Sequence, residues 1–274
     1  MVEPPAAQAA SRRGRPPAGR PARRAALLLG AATAAVLSLL PATASAGDVP
    51  PYHPSRLTHL GDAGQVVVVT GGSWSASHAV LRRYERTPDG RWLRVGDAVP
   101  ARVGRNGFVR AAERRQSTGT TPAGTFGLVS AFGNGPDPGT ALPYRVVDRS
   151  DWWVYDPRDP GTYNVLQPRR VATSAWRRSW AEDLSGYGGQ YRYVAVLDFN
   201  LPAGVTRAAD GQLVAAEPAD TRLGGGIFLH VNGPGATSGC VSVGRATMRL
   251  TLRWLDPAQH PVIVMGPRSA IGQL

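Results

Sequence analysis

Short apolar runs rich in valine, isoleucine and aromatic residues recur along the chain, and segments containing glycine and proline separate them. Runs of this kind are typical of β-strands joined by turns. In one of them every second residue is tyrosine, alanine, leucine or phenylalanine, and this period of two predicts a strand with one buried face. The predicted strands are Gln65–Thr70, Ala79–Tyr84, Thr125–Ser130, Tyr144–Val147, the alternating stretch Tyr191–Phe199, Gly226–Val231 and Pro261–Met265.

Two segments have apolar residues at helical spacing. Ala246–Leu255 is the stronger one, and Ser242 is predicted to cap this helix, with Asp256-Pro257 ending it. A weaker helix is predicted over Ser174–Leu184, because apolar residues recur there every four positions. Together these elements predict one mainly β domain over residues 63–274, with one or two short helices.

The first 46 residues have the organisation of a signal peptide. Six arginines lie within residues 1–24, an apolar stretch runs from Ala25 to Leu40, and a segment of small residues ends at Ala46. This order predicts cleavage after Ala46 and a secreted or cell-wall location. An uncleaved membrane anchor is the alternative, although the apolar stretch is shorter than the ~20 residues of a typical span. Residues 47–62 contain several prolines and are predicted to be a spacer.

All 31 basic residues are arginines, against 19 acidic residues, so the formal net charge is +12. Without residues 1–46 the chain has 25 arginines and 18 acidic residues, a formal charge of +7. A moderately basic exported protein is attracted to anionic cell-wall polymers or lipid headgroups, although ordinary solubilising charge explains the same excess. The arginines are scattered and no nucleic-acid motif accompanies them, so nucleic acid is not expected as a partner.

Cys240 is the only cysteine in the chain, and it lies ten residues after His230 at the end of a glycine-rich segment. An unpaired thiol in an exported protein is usually retained for its chemistry. We therefore interpret Cys240 as a nucleophile and His230 as the group that takes and returns its proton. The alternative is that both are ordinary buried residues, which is common for each residue type alone.

The neighbours of Cys240 suggest how it is supported. A helix start predicted just behind Cys240 favours the thiolate through the helix dipole. Gly239 lets the backbone approach a substrate closely, and the amides of Gly239 and Cys240 are placed to stabilise an oxyanion. Thr237 and Ser238 are predicted to support the site. Asn232 and Gly233 are predicted to bind substrate.

No metal site and no cofactor are predicted. One cysteine and one histidine do not complete a tetrahedral zinc site. The remaining histidines, which lack ligand spacing, are His53, His59, His78 and His260.

The arrangement of His230, a glycine-containing loop and Thr237-Ser238-Gly239-Cys240 forms a recognisable motif. With further ordered matches over residues 66–266, it resembles the L,D-transpeptidase catalytic domain family, the YkuD/ErfK-like peptidoglycan enzymes. Ser238 stands where that family usually has a histidine. The further matches are Val103–Gly107, Thr121–Phe126, Leu142–Tyr144, Trp153–Asp156, Tyr163-Asn164, Gly226–Val231 and Trp254–Pro257.

This resemblance implies a β-sandwich-like domain that acts on the peptide stems of peptidoglycan. It implies that Cys240 attacks the carbonyl before a terminal D-residue, forms a thioester and expels D-alanine. An amine of a neighbouring stem then converts the thioester into a cross-link, whereas water gives L,D-carboxypeptidase activity.

Two other classes of function remain open. One is a different cysteine acyltransferase or peptidase, although sortases have a much longer separation between His and Cys, and NlpC/P60 peptidases place Cys before His. The other is a non-catalytic cell-wall-binding module with the same fold, in which Cys240 is unreactive. Covalent labelling of Cys240 by a peptide stem distinguishes the enzyme from the binding module.

Overall fold

The computed structural model describes residues 49–274, so the predicted signal peptide and its cleavage site lie outside the described residues. None of the helices in this described part has the length and apolar character needed to cross a membrane. The strands and the α-helix are β1 (Gln65–Gly71), β2 (His78–Arg86), β3 (Trp92–Arg94), β4 (Val99–Arg102), β5 (Phe108–Arg110), β6 (Thr121–Gly133), β7 (Tyr144–Val146), β8 (Trp152–Val154), β9 (Leu166–Gln167), β10 (Ala181–Asp183), β11 (Val194–Leu197), β12 (Ala203–Arg207), β13 (Leu213–Glu217), β14 (Phe228–Val231), β15 (Val241–Val243), α1 (Arg245–Trp254) and β16 (Val262–Pro267).

The largest sheet closes on itself. Its strands follow the order β1-β16-β6-β11-β14-β15-β4-β2, and β2 pairs in turn with β1. The ring therefore leaves no open edge between its first and last strands. The prediction of a mainly β, sandwich-like domain is confirmed, and the structure shows that the layers are joined into a barrel-like fold.

Barrel strands are buried on both faces where outer layers cover them. In β1, Val67 and Val69 belong to the core inside the ring, whereas Val66 and Val68 belong to an outer cluster. Side chains alternate across a strand, so a strand covered on both sides needs apolar residues at successive positions. This requirement explains the run of four valines in β1.

β11 is also buried on both faces, which corrects the prediction that Tyr191–Phe199 is half-buried. One face lies in the barrel core, and the other, with Val194 and Val196, packs against an outer aromatic cluster. The strand is shorter than predicted, because Gly188–Tyr191 forms a 3₁₀ turn before it.

Ser242 does not cap the predicted helix. α1 begins at Arg245, whereas Ser242 lies inside β15 and donates a hydrogen bond to Asn232 Oδ1 at 2.9 Å. The predicted cap is wrong because Val241 and Val243 are fully buried in the barrel wall, a position that favours a strand. The helix itself is confirmed over nearly its whole predicted range.

The predicted helix over Ser174–Leu184 is wrong. This segment forms a 3₁₀ turn at Arg178–Trp180 and then β10. The Asp156 carboxylate accepts the backbone N–H of Arg177 at 2.9 Å and its Nε–H at 2.7 Å, and β10 pairs with β8. These outside partners satisfy backbone groups that a helix would pair internally, so the four-residue spacing reflects separately buried side chains.

Part of the predicted spacer packs on the barrel. Tyr52 lies beneath the guanidinium groups of Arg82 and Arg268, at 4.0 Å and 5.4 Å from its ring centroid. Leu57 and Leu60 pack against the outer cluster next to β1. The chain therefore joins the folded unit before β1 begins.

Candidate active site

β14 and β15 bring His230 and Cys240 to the same outer face of the barrel. The two strands run parallel, with Leu229 opposite Val241 and His230 opposite Ser242. The first of these pairs points into the barrel core, so His230 and Cys240, each one position away, point outward. A rise of ~3.3 Å per residue and a strand spacing of ~4.8 Å place their Cα atoms ~8 Å apart.

The thiol of Cys240 lies in a poorly solvated position. Its side chain is half-buried against the outer aromatic cluster, and Sγ donates a hydrogen bond to the Gly226 carbonyl at 3.3 Å. Burial, together with the nearby Glu182 carboxyl, raises the pKa of Cys240 to about 12. Cys240 therefore rests as a thiol, and a role as nucleophile requires a base that takes its proton.

His230 lines the same cavity as Cys240 and is a neutral base. Its side chain is 5% exposed, and its ring meets Tyr191 edge-on with the centroids 5.5 Å apart. Nδ1 lies 2.8 Å from the Val231 carbonyl oxygen, which only accepts, so Nδ1 carries the proton, and the ring also has a backbone contact with Gln190. Burial lowers the pKa of His230 to about 4, so the imidazole is uncharged at neutral pH.

No helix starts directly behind Cys240. The residue is followed by β15, and α1 begins five residues later at Arg245. A helix dipole acts mainly within its own first turn. The predicted stabilisation of the thiolate by a helix is therefore wrong, for the same reason that Ser242 is not a cap.

Thr237 organises the turn that carries Cys240. Its backbone N–H donates to Val103 O and its carbonyl accepts from Arg105 N, each at 2.9 Å. Its hydroxyl donates to Cys240 O at 2.6 Å and accepts from Gly239 N–H at 3.1 Å. The Gly239 amide, predicted as an oxyanion donor, thus already has an acceptor and must exchange it to bind an oxyanion.

Gly239 has a backbone conformation that other residues rarely adopt. Its φ is +144°, and a Cβ at this position would lie 2.9 Å from Thr120 O and 3.1 Å from Arg114 Nη2. Glycine therefore allows the turn to approach these two groups.

Three other predicted residues occupy different surroundings. Ser238 is exposed, and its hydroxyl accepts a hydrogen bond from Arg105 Nη1 at 3.0 Å. Gly233 lines the first cavity together with Cys240, which is compatible with its predicted role in substrate binding. Asn232 lies in the barrel wall and accepts the hydrogen bond of Ser242, so it fixes β14 against β15.

Two cavities meet at Cys240. The first cavity, of about 250 Å³, contains His230 and the loop Gly233–Ser238. The second cavity, of about 160 Å³, contains Arg114 and Tyr155. Cys240 lines both, so an extended ligand that crosses Cys240 has space on either side.

A family model described as YkuD, the L,D-transpeptidase catalytic domain, matches residues 66–264. The chain belongs to this family. The match begins in β1 and ends in β16, so it includes the barrel and both Cys240 and His230. YkuD proteins are cysteine-dependent L,D-transpeptidases, and the resemblance inferred from the sequence is thereby confirmed. No curated protein matches the chain.

The transpeptidase domain also places two charged residues near Cys240 that sequence reasoning missed. Glu182, on β10, accepts a hydrogen bond from the Tyr191 hydroxyl at 2.8 Å and lines both cavities. Burial raises its pKa. Arg114 is 4% exposed, and burial lowers its pKa. No motif distinguishes either residue, and the position of Arg114 shortly before Thr121–Phe126 is the one signal that the sequence contains.

Metal ligands are not grouped in the part of the transpeptidase chain that the structure describes. Among residues 49–274, no three His, Cys, Asp or Glu side chains lie together in a way that would hold a metal ion.

Proposed function

We propose that this protein is an exported L,D-transpeptidase that forms a thioester between Cys240 and the peptide stems of peptidoglycan. The observation that carries the proposal is the placement of Cys240 and His230 on one outer face, along one cavity, in an L,D-transpeptidase domain. The family match supports peptidoglycan as the substrate. The basic, apolar and small-residue order of residues 1–46 supports export.

In the acylation step, His230 Nε2 takes the thiol proton while Sγ bonds to the carbonyl carbon before the terminal D-residue. The C–N bond to that residue then breaks, and the imidazolium returns the proton to the leaving nitrogen. The products are a thioester on Cys240 and a free D-amino acid. Because both resting groups are uncharged, we expect proton transfer to accompany the attack rather than precede it.

The carbonyl oxygen becomes negative during the attack and needs hydrogen-bond donors. We assign this role to the amide of Cys240 and to that of Gly239. The Gly239 amide becomes available when the Thr237 hydroxyl, its present acceptor, turns away. Thr237 therefore supports the site through the position of the turn.

In the second step, the amine of another stem attacks the thioester carbon. His230 takes a proton from this amine and transfers it to the sulfur as the C–S bond breaks. The amine approaches from the side of the base, which lines the first cavity. Water in the same position completes hydrolysis and gives a shortened stem.

The test is incubation of the purified protein with a tetrapeptide stem, followed by intact-mass measurement. Wild-type protein should gain the mass of the stem without its terminal residue, and Cys240→Ala should gain nothing. His230→Gln should keep its fold and acylate at least ~100-fold more slowly. An unmodified wild type that releases no D-residue and still binds peptidoglycan would favour the non-catalytic binding module.

Export is tested separately by mass spectrometry of the protein recovered outside the producing cells. A mature chain beginning at Gly47 is expected, since cleavage is predicted after Ala46. A full-length chain retained in the membrane would favour the anchor.

A further inference from the structure

Three arginines form a row on the exposed side of α1. Arg245, Arg249 and Arg253 follow one another at intervals of four residues, so they lie on the same side of the helix, and all three are exposed. With a rise of ~1.5 Å per residue, their Cα atoms are spaced ~6 Å apart over a length of ~12 Å. We call these three residues the arginine row.

The arginine row has no negative partner in the described part of the chain. The ten residues of α1 include three arginines and no acidic residue. Among residues 49–274, no carboxylate oxygen lies within 4.0 Å of the three guanidinium groups, and none of these groups makes a hydrogen bond. Two acidic residues at the C-terminal end of the helix have other partners, since Glu85 accepts from Trp254 Nε1 and Asp256 accepts from the Ala258 amide. The positive charge of the row is therefore available to a partner outside the chain.

The row is unfavourable for the helix itself. Arg245 lies in the first turn, where the helix dipole favours an acidic residue, and neither an acidic side chain nor a capping side chain is present there. Like charges four residues apart also repel each other, and the row contains two such pairs. Acidic residues would serve solubility equally well and would suit the first turn better. The arrangement therefore favours binding of an external anion as the role of the row.

The packing of α1 disfavours a membrane surface as this anion. Helices that lie in the plane of a bilayer insert their apolar face into it. In α1 this face is already occupied, because Met248 and Leu252 are fully buried in the barrel core. Leu250 is the one large apolar side chain that α1 exposes. The exposed side of the helix therefore presents charge and has little to insert.

Nucleic acid is disfavoured because α1 lacks an open stacking surface. Proteins that bind single strands stack the bases on aromatic rings. Trp254 is the one aromatic residue of α1, and its ring is covered by the guanidinium of Arg83, which lies 5.8 Å from the ring centroid.

An extended polymer with a phosphate group in each repeat matches the arginine row. The planar guanidinium donates two parallel hydrogen bonds to one phosphate. Three such groups in a line can contact successive phosphates of an extended chain, whereas a single small anion would contact one of them. Arg245 follows Cys240 by five residues, so their Cα atoms are at most ~18 Å apart.

We propose that the arginine row of α1 binds a linear phosphodiester polymer of the cell wall. This proposal goes beyond the acyl-transfer reaction. It rests on the proposed export and not on the thioester chemistry. A polymer bound to the row holds the protein on the wall, with Cys240 close to the surface of contact.

The test measures binding of the purified full-length protein to poly(glycerol phosphate). Raising the salt concentration from about 50 to about 200 mM should weaken wild-type binding roughly 10-fold, as expected when about three phosphates are neutralised. The row variant, Arg245→Gln/Arg249→Gln/Arg253→Gln, should bind roughly 10-fold more weakly at the lower salt concentration and should lose much of the salt dependence. Its melting temperature should not fall, because the substitutions remove like-charge repulsion within α1.

The matched control is Arg94→Gln/Arg149→Gln/Arg158→Gln, which removes three exposed arginines from other segments. The control and the row variant have the same net charge and the same residues 1–46, so a difference between them isolates the row. The control should bind the polymer as wild type does. If the row variant does not fold, Arg249→Gln decides, because loss of the central charge should weaken binding about twofold.

Several results would overturn the proposal. Equal weakening in the control and the row variant would show that overall charge drives binding, and wild-type affinity in the folded row variant would exclude the row. Wild-type binding to vesicles of phosphatidylglycerol and phosphatidylcholine, without binding to the polymer, would assign the row to a membrane surface. Tighter binding to single-stranded DNA of matched length, lost in the row variant, would assign it to nucleic acid. Acylation of Cys240 and export are measured separately, so none of these results decides the proposed function.

Discussion

The buried, uncharged state of His230 predicts a specific loss of stability in mild acid. Burial lowers its pKa from 6.5 to about 4, so the unfolded chain binds a proton in this range that the folded chain does not. Its contribution to stability is therefore present above pH ~6.5 and is lost as the pH falls towards 4. A shift of this size corresponds to roughly 3 kcal/mol in full, and to roughly 2 kcal/mol between pH 7 and pH 4.5.

The assay is urea unfolding of wild type and His230→Gln at pH 7, 5.5 and 4.5. Other ionisable groups change the stability of both proteins equally, so the difference between the two pH dependences reports on His230. Wild type should lose roughly 2 kcal/mol more than the variant between pH 7 and pH 4.5. Parallel losses in the two proteins would refute a buried neutral imidazole, and with it the assignment of His230 as a ready base.

Three further predictions concern the surroundings of the nucleophile. Glu182→Gln removes a carboxyl that raises the pKa of Cys240, so alkylation of Cys240 by iodoacetamide at pH 9 should accelerate roughly tenfold. An unchanged rate would show that the two groups do not interact. Gly239→Ala should lower the melting temperature by roughly 5–10 °C, because its Cβ would lie 2.9 Å from Thr120 O at a φ of +144°; an unaltered melting curve would contradict this packing. Asp156→Asn should lower the free energy of unfolding in urea by roughly 1–3 kcal/mol, because it weakens the charged hydrogen bonds from Arg177. An unchanged free energy of unfolding would mean that water replaces these hydrogen bonds.

The fold was predictable where neighbouring residues decide the structure. The four valines of β1 and the apolar run of β16 form strands because each is both locally favourable and covered on both sides. The sequence did not reveal that Ser242 lies in a strand, since β15 exists through its pairing with β14 and β4. The failed helix over Ser174–Leu184 has a similar cause, because Asp156 and β8 hold that segment from a distance in the chain.

The candidate site divides in the same way. Cys240 and His230 could be predicted as a pair because they lie ten residues apart and share a local motif. Arg114 and Glu182 were missed because their positions depend on contacts between remote segments. The guanidinium of Arg114 donates a hydrogen bond to the carbonyl of Leu223, 109 residues away, and Glu182 lies near Cys240 only when β10 pairs with β8. A local sequence pattern does not show which remote segments of the chain lie close together in the fold.

The parallel pairing of β1 with β16 has a consequence for the order in which the molecule is built. Val66 lies opposite Val262, so strands roughly 200 residues apart in sequence must meet to complete the ring. Joining the ends of a loop of this length costs on the order of 5 kcal/mol of chain entropy. A chain still leaving the ribosome lacks β16 and cannot close the barrel. Until this last strand arrives, β1 and β6 have no strand between them and the ring stays open.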